Sequence, residues 1–243
     1  MSITGKSSIS AVIPAYNEEV YIEKCVLSLE VAVKQIADDF EIIVVDDGSR
    51  DRTADILEGL KRSRPYLVLL HHEQNRGLGQ ALRTGFAKCG KEITFYCDAD
   101  LPFDYLELAT ALQEMEAKNA TLVTGFRHDR SSEGSLRIVY SVAYNWLVWL
   151  LFGLRTKDVN FAFKLIRTEA LRKMNLQSDG SFIDAEIMIK ADRLGYPICQ
   201  IGIDYFKRQY GKSTLSSAGT ILKIIKEMFS QYPVLSKIKA PDQ

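Results

Sequence analysis

Cysteine, histidine, tryptophan and proline are scarce in this chain, and neither sign of charge is in excess. Cys25, Cys89, Cys97 and Cys199 are the four cysteines among 243 residues. They have no Cys-x-x-Cys spacing and no histidines at zinc-site intervals, which argues against a zinc centre or a disulfide framework. Three lie in apolar contexts and read as small buried hydrophobes, in keeping with a reducing compartment. Lys plus Arg and Asp plus Glu both total 31, a net charge of zero, so there is no broad basic field of the kind that binds nucleic acid. Local clusters do occur: Lys207, Arg208 and Lys212, then Lys223, Lys226, Lys237 and Lys239. Such clusters are ordinarily solvated faces. Long hydrophobic runs are missing too. The longest, Ile138 to Leu154, is broken by Ser141 and Asn145 and falls short of the roughly 20 residues of a spanning helix. Met1 to Ser10 lacks the apolar core of a signal peptide. Hydrophobic residues at 47% and charged residues at 26% give a globular balance.

The first half of the chain alternates strand and helix signals. Ile9 to Ile13 reads as a strand ended by Pro14, with Asn17 capping a helix that carries Val26, Leu29, Val33 and Ile36. Glu41 to Val45 is a second strand. Ser49 or Asp51 caps a helix with Ile56, Leu57 and Leu60. Leu67 to Leu70 is a third strand, and Asn75-Arg76-Gly77-Leu78-Gly79 opens a helix with Ala81, Leu82 and Phe86. Ile93 to Cys97 is a fourth strand. This alternation predicts a mostly parallel sheet with helices on both faces. In the second half, helices are expected from Pro102 and Asp104 to about Lys118, over Arg137 to Phe152, Phe182 to Leu194 and Ala218 to Phe229. Strands are expected at Thr121 to Thr124, Phe161 to Ile166 and Ile198 to Phe206, with a loop over Gly125 to Gly134. No linker separates the halves. One domain over residues 1–215 with an amphipathic C-terminal extension over 216–243 is the simplest organisation.

Carboxylates recur where strands end: Glu18 after the first, Asp46 and Asp47 after the second, Asp98 and Asp100 after the fourth. In a parallel sheet those ends share one edge, where open α/β sheets bind ligands. Asp98 and Asp100 repel each other unless a cation lies between them, and a hard divalent ion with a diphosphate suits such an oxygen site. Asp46 could equally cap its turn. Gly77-Leu78-Gly79 is not a dinucleotide fingerprint, because the third glycine is misplaced and the loop follows the third strand. These glycines either make a tight turn or let backbone approach a nucleotide.

Four segments in order, Ile13-Pro14-Ala15-Tyr16-Asn17-Glu18, Val44 to Thr53 with Asp46-Asp47-Gly48-Ser49, Asn75 to Ala81, and Asp98-Ala99-Asp100, resemble the signature of family 2 glycosyltransferases. The polyprenyl-phosphate sugar transferase branch, which includes dolichol-phosphate mannosyltransferase, is the most similar. The resemblance covers Ile9 to Leu215 and implies a GT-A fold, a nucleotide-diphosphosugar donor such as GDP-mannose or a UDP-sugar, and Mg²⁺ or Mn²⁺. By resemblance Pro14, Ala15, Tyr16, Glu18 and Asp47 hold the nucleoside. Asp98, Ala99 and Asp100 belong to the motif for metal and donor. A Gln ligand usual in the mannosyl branch is replaced by Pro102, whose side chain cannot coordinate. Gly125-Phe126-Arg127, Arg137, Asp158 to Lys164, Phe182 to Glu186 and Arg208 to Ser213 resemble later elements of the branch, some of them loosely. Arg127, Arg137, Arg208 and Lys212 are then the cations for acceptor and donor phosphates, a role that suits bidentate arginine and point-charge lysine.

The Arg137 helix carries Arg137, Ser141 and Asn145 on one stripe, while Val139, Val142, Trp146, Trp149 and Leu150 occupy much of the rest. It reads either as a core helix or as one at a membrane surface that receives a polyprenyl chain. Ile221 to Phe229, with Lys223 and Lys226, would add a second lipid contact. The expectation is an inverting transferase peripheral on the cytoplasmic face of a membrane, and it leaves room for a membrane-anchoring partner subunit. Two alternatives stand beside it. One is transfer to a glycan hydroxyl with Asp184 or Glu186 as base; the other is a nucleotide-sugar-binding subunit without turnover.

Overall fold

A computed structural model describes residues 7–100, 103–128, 135–204 and 218–238, without the side chains at 135–137 and 218. Pro102, Arg208 and Lys212 therefore lie outside the described residues, as do the side chain of Arg137, the boundary at 215, the second half of the 125–134 loop and the end of the strand expected to reach Phe206.

Among the described residues seven strands form one sheet: β1 (Ile9–Ala15), β2 (Phe40–Asp46), β3 (Leu67–His71), β4 (Ile93–Cys97), β5 (Leu122–Arg127), β6 (Phe163–Arg167) and β7 (Ile198–Ile203). Eight helices among the described residues connect and cover them: α1 (Ile22–Ile36), α2 (Thr53–Lys61), α3 (Leu78–Phe86), α4 (Glu107–Ala117), α5 (Ser135–Phe152), α6 (Thr168–Met174), α7 (Ile183–Arg193) and α8 (Ala218–Leu235). The spatial order is β3-β2-β1-β4-β6-β5-β7. β1 to β4 run parallel, as does the β5–β7 pair; β6 runs antiparallel to both of its neighbours. The chain builds outward from β1 to β3 and then restarts on the other side at β4. That reversal leaves a crevice beyond the ends of β1 and β4.

Two apolar layers sandwich the sheet. One holds Val26, Leu29 and Val33 of α1 with Leu108, Leu112 and Met115 of α4. The other holds Leu82 and Phe86 of α3, Val148 and Phe152 of α5, Ile187 of α7, and Ile224 and Met228 of α8. The last pair ties α8 into the same core.

Several boundaries differ from the sequence expectation for identifiable reasons. β1 runs through Pro14 to Ala15 because β4 pairs only as far as Val12. Past that point the missing proline N–H costs no ladder bond. Asn17 does not cap α1. It sits at φ 56, and its Oδ1 accepts from the Arg50 N–H at 2.8 Å. The helix starts after Tyr21, which makes no side-chain cap bond. The N-cap of α2 is Arg52, without a side-chain cap bond, and Asp51, one residue earlier, accepts from the Thr53 N–H at 3.0 Å. The helix expected from Pro102 begins at Glu107, and β5 extends through Arg127, taking Gly125 to Arg127 out of the expected loop. α6 was not anticipated, although Ala170, Leu171 and Met174 give it a buried stripe. α8 continues past Phe229 to Leu235 with Pro233 inside it.

Candidate active site

The parallel register brings the expected residues to one rim. Ala15 pairs with Asp46, and Asp46 with His71. Val12 pairs with Tyr96, so Asp98 emerges beside Pro14. Ala15 and Ala99 are buried, while Tyr16 is 38% exposed and open to a ligand. The loops after β1 and β2 are laced together. The Asn17 N–H donates to Ser49 Oγ at 2.9 Å, that of Glu18 to Thr53 Oγ1 at 2.8 Å and that of Glu19 to Asp51 Oδ2 at 3.1 Å.

Asp46 and Asp47 spend their oxygens inside the protein. Asp46 Oδ1 accepts from the Ser49 N–H at 3.0 Å, the turn cap that its sequence context allows, and Oδ2 meets His71 Nδ1 at 3.2 Å. Asp47 is 3% exposed. Its two oxygens accept from the N–H groups of Arg76 and Gly77, each at 2.9 Å, and Oδ1 also meets His72 Nδ1 at 2.6 Å. Asp47 thereby shapes the wall of the site. His71 and His72 went unnoticed in the sequence, and the register of β2 with β3 is what gives them their role.

The glycines of the 75–79 loop serve a purpose that neither sequence reading named. A Cβ on Gly77, which has φ +96, would lie 2.7 Å from the Asp179 carbonyl oxygen, and one on Gly79 would collide with the Ser178 carbonyl. They let α3 pack directly on the 177–180 segment. That segment is held from below by Glu186, whose oxygens accept from the Gln177 and Ser178 N–H groups at 2.8 Å each. Glu227 of α8 accepts from Asp179 and Gly180.

Asp98 and Asp100 leave β4 at the crevice. Tyr105 OH donates to the Asp98 carbonyl at 3.3 Å. Desolvation pushes the Asp98 carboxyl well above the usual range; Asp100, Asp184 and Glu18 add to this and Lys164 opposes it. Among the described residues no group of three or more His, Cys, Asp or Glu could hold a metal ion. The two aspartates alone are hard oxygen donors whose mutual repulsion a cation would relieve. Such a pair of hard oxygen donors would suit a hard divalent cation such as Mg²⁺ or Mn²⁺.

Behind them, Lys164 is fully buried and pairs with Asp184 at 2.5 Å. It also donates to the carbonyls of Val159 and Phe161 at 3.2 and 2.8 Å. Glu186, besides its two amides, pairs with Lys190 at 2.6 Å. Both carboxylates expected as alternative bases therefore already hold structural partners.

Arg127 pairs with buried Asp158 at 3.1 Å and lies over the Phe161 ring, 5.2 Å from its centroid. The two charged residues and Asn160 line a cavity of about 280 Å³ together with Tyr144 and Leu147 of α5 and Ile221, Ile224 and Ile225 of α8. A larger groove of about 450 Å³ between α3 and α6 contains none of the strand-end carboxylates. Asn145 accepts from the Val159 N–H at 3.2 Å and donates to the Lys157 carbonyl at 3.1 Å, so Asn145 faces the protein. Val148 and Phe152 of α5 are buried in the core, while Val139, Val142, Trp146, Trp149 and Leu150 are exposed, so one side of α5 packs on the core and another carries an exposed apolar surface. Leu222, Phe229 and Val234 of α8 are exposed as well. No described helix is long and apolar enough to cross a membrane.

With this geometry in place, the model of "Glycosyl transferase family 2" matches residues 10–176. The chain belongs to that family. It is 29% identical over 225 residues to an undecaprenyl-phosphate 4-deoxy-4-formamido-L-arabinose transferase of Pseudomonas fluorescens, covering 91% of this chain and 63% of the relative. It is 27% identical over 223 residues to the dolichyl-phosphate beta-glucosyltransferase ALG5A of Trichomonas vaginalis, covering 86% and 68%. Glycosyltransferase AglD of Haloferax volcanii is 30% identical over 204 residues, covering 81% of this chain and 33% of the relative. The chain spans about a third to two thirds of the length of the curated relatives it matches. Among solved structures, glucosyl-3-phosphoglycerate synthase from Mycobacterium tuberculosis, in complex with Mn²⁺, uridine diphosphate and phosphoglyceric acid, superposes with a TM-score of 0.73 at 23% identity, covering 98% of this chain and 80% of that one. The fold of the family 2 chain is the GT-A fold.

Proposed function

We propose that this chain is an inverting glycosyltransferase that moves a hexosyl group from a nucleotide diphosphosugar to a polyprenyl or dolichyl phosphate. The observation that carries the reading is the cavity between α5 and α8, whose lining joins an arginine to apolar side chains, on a helix with exposed tryptophans. An amphiphile with one charged head fits that lining. Relatives named for undecaprenyl and dolichyl phosphate support the acceptor class.

A phosphate monoester is largely ionised near neutral pH, with a second pKa of about 6, so it attacks without a catalytic base. That agrees with the commitment of Asp184 and Glu186 to Lys164 and to the 177–178 amides. The residues' work is alignment and charge stabilisation. Pro14, Ala15, Tyr16 and Glu18, on a wall pinned by Asp47, receive the nucleoside. Asp98 and Asp100, with Ala99 between them, would hold Mg²⁺ or Mn²⁺, which when bound stabilises the departing nucleoside diphosphate. Arg127 faces the acceptor phosphate, and Arg137, Arg208 and Lys212 are assigned to phosphate by motif. The exposed faces of α5 and α8 lie against the cytoplasmic surface of a membrane, where a partner subunit could add an anchor.

The test incubates the protein with Mg²⁺ or Mn²⁺, a polyprenyl phosphate and a panel of radiolabelled GDP- and UDP-sugars, then counts label extracted into organic solvent. Lipid-phase label that disappears in Asp100→Ala is the expected result. Label found only on a soluble glycan acceptor would overturn the assignment of the acceptor.

A further inference from the structure

Helix α8 reaches the 75–79 loop through one intervening segment. Ile224, Glu227, Met228, Gln231 and Leu235 share its inward face at three- and four-residue spacing, while Leu222 and Phe229 are exposed. Glu227 Oε1 accepts from the N–H groups of Asp179 and Gly180 at 2.8 and 3.1 Å, and Gln231 donates to Ser178 Oγ at 2.8 Å. Glu186 of α7 holds the N–H groups of Gln177 and Ser178. Four consecutive backbone donors are therefore fixed by two carboxylates from different helices. Hydrogen bonds to an ionised acceptor are the stronger kind.

The half of the segment that Glu227 holds is the half that meets the start of α3. The Asp179 carbonyl accepts from the Gln80 N–H at 3.2 Å, and Arg83 donates to Asp179 Oδ1 at 2.9 Å. A Cβ on Gly77 would lie 2.7 Å from the Asp179 carbonyl oxygen, and one on Gly79 would lie 2.2 Å from that of Ser178. Backbone packed this closely leaves no gap to absorb a shift. The Gly77 N–H in turn donates to Asp47 Oδ2 at 2.9 Å. Direct contacts thus run without a break from Glu227 through Asp179 and Gly77 to Asp47.

We infer that Glu227 is a positioning residue for the nucleotide: by holding the Asp179 and Gly180 amides it sets where Gly77 and Asp47 stand against the donor. The inference rests on the reading of the strand-end crevice as the donor site; it does not depend on the acceptor being a lipid. Without Glu227 the ligand itself must supply the ordering of the loop, which weakens binding. Glu227 acts through backbone and not on the donor, so the chemical step of bound donor is unaffected.

The test uses the whole chain with Mn²⁺ and compares wild type with Glu227→Ala and Glu227→Gln. Calorimetry measures affinity for UDP and for GDP. Glu227→Ala is expected to bind the nucleotide that wild type binds about three- to tenfold more weakly, to raise the donor KM at unchanged kcat, and to speed hydrogen exchange at the Arg76 and Gly77 amides. Glu227→Gln keeps an acceptor oxygen and should recover most of the affinity. A lowered melting temperature with nucleotide affinity unchanged would overturn the inference in favour of a purely structural role. Equal weakening in Glu227→Gln would overturn it in favour of a long-range effect of the charge. Should Glu227→Ala fail to fold, Gly180→Ala carries the test in the same direction, because its Cβ would lie 2.8 Å from Glu227 Oε2 and push that carboxylate off the amides. A wild type that binds neither nucleotide overturns the donor-site reading together with the inference, while a wild type that binds and is matched by Glu227→Ala overturns the inference alone.

Discussion

The loops after β1, β2 and β3 and the helices α5 and α8 flank the same crevice but are held by different forces. In the loops, buried and half-buried carboxylates reach across more than twenty residues of sequence to pin backbone amides: Asp47 to Arg76 and Gly77, Asp51 to Glu19. Each such bond is directional, and leaving a buried partner unmade is costly. The helices bury one apolar stripe and leave another, with two tryptophans, facing outward. Apolar contact sets no such direction. The contrast suits a rigid surface for a polar nucleotide and an adaptable one for a lipid.

The largest effect should come from breaking the polar framework at its most buried point. Lys164→Met leaves Asp184 as an unpaired buried charge and should cost about 3–5 kcal/mol of stability, read from denaturant midpoints. The double variant Lys164→Met/Asp184→Leu should recover much of that loss. Next, Asp100→Ala should lower transfer about 10²–10³-fold, or about 2.7–4 kcal/mol of barrier, with little change in melting temperature. That split would separate the ligand-facing carboxylates from the structural ones. Gly79→Ala forces α3 away from the 178–179 backbone and should cost about 1–3 kcal/mol, with nucleotide affinity falling alongside. On the helix side, Trp146→Ser with Trp149→Ser should change stability by no more than about 0.5 kcal/mol per site and abolish co-sedimentation with anionic vesicles. Unchanged vesicle binding would remove the contrast.

The smallest effect concerns pH. Burial alone would raise the Glu30 carboxyl, but hydrogen bonds from Lys34, Tyr66 and Arg64 outweigh it and bring it down to about 2. A depressed carboxylate stabilises the fold above its unfolded pKa near 4.5 and loses that contribution as pH falls toward 2. Glu30→Gln should therefore melt lower than wild type at pH 7 by a small margin, solvent screening being substantial at this surface. The margin should close by pH 2.

The alternation of short β-branched runs with amphipathic helices is legible in the sequence because burial on both faces demands it, and β4 was located to the residue. The carboxylates at strand ends were legible for the same reason, since a parallel sheet carries those ends to one rim. What each carboxylate does there was not. Asp46, Asp47, Asp98 and Asp100 look alike in sequence, and only the pairing of β2 with β3 brings His71 and His72 against the first two. The glycines at 77 and 79 were visible, but their contact, the 177–180 segment, lies about a hundred residues away.

By itself, then, the sequence determined the layered α/β architecture and the place where its polar groups gather, because periodicity and strand ends are local properties. The tertiary structure alone decided which polar atoms are spent on the fold and which stay open to a ligand. That division depends on donors and acceptors brought from distant elements, and no local pattern encodes the meeting.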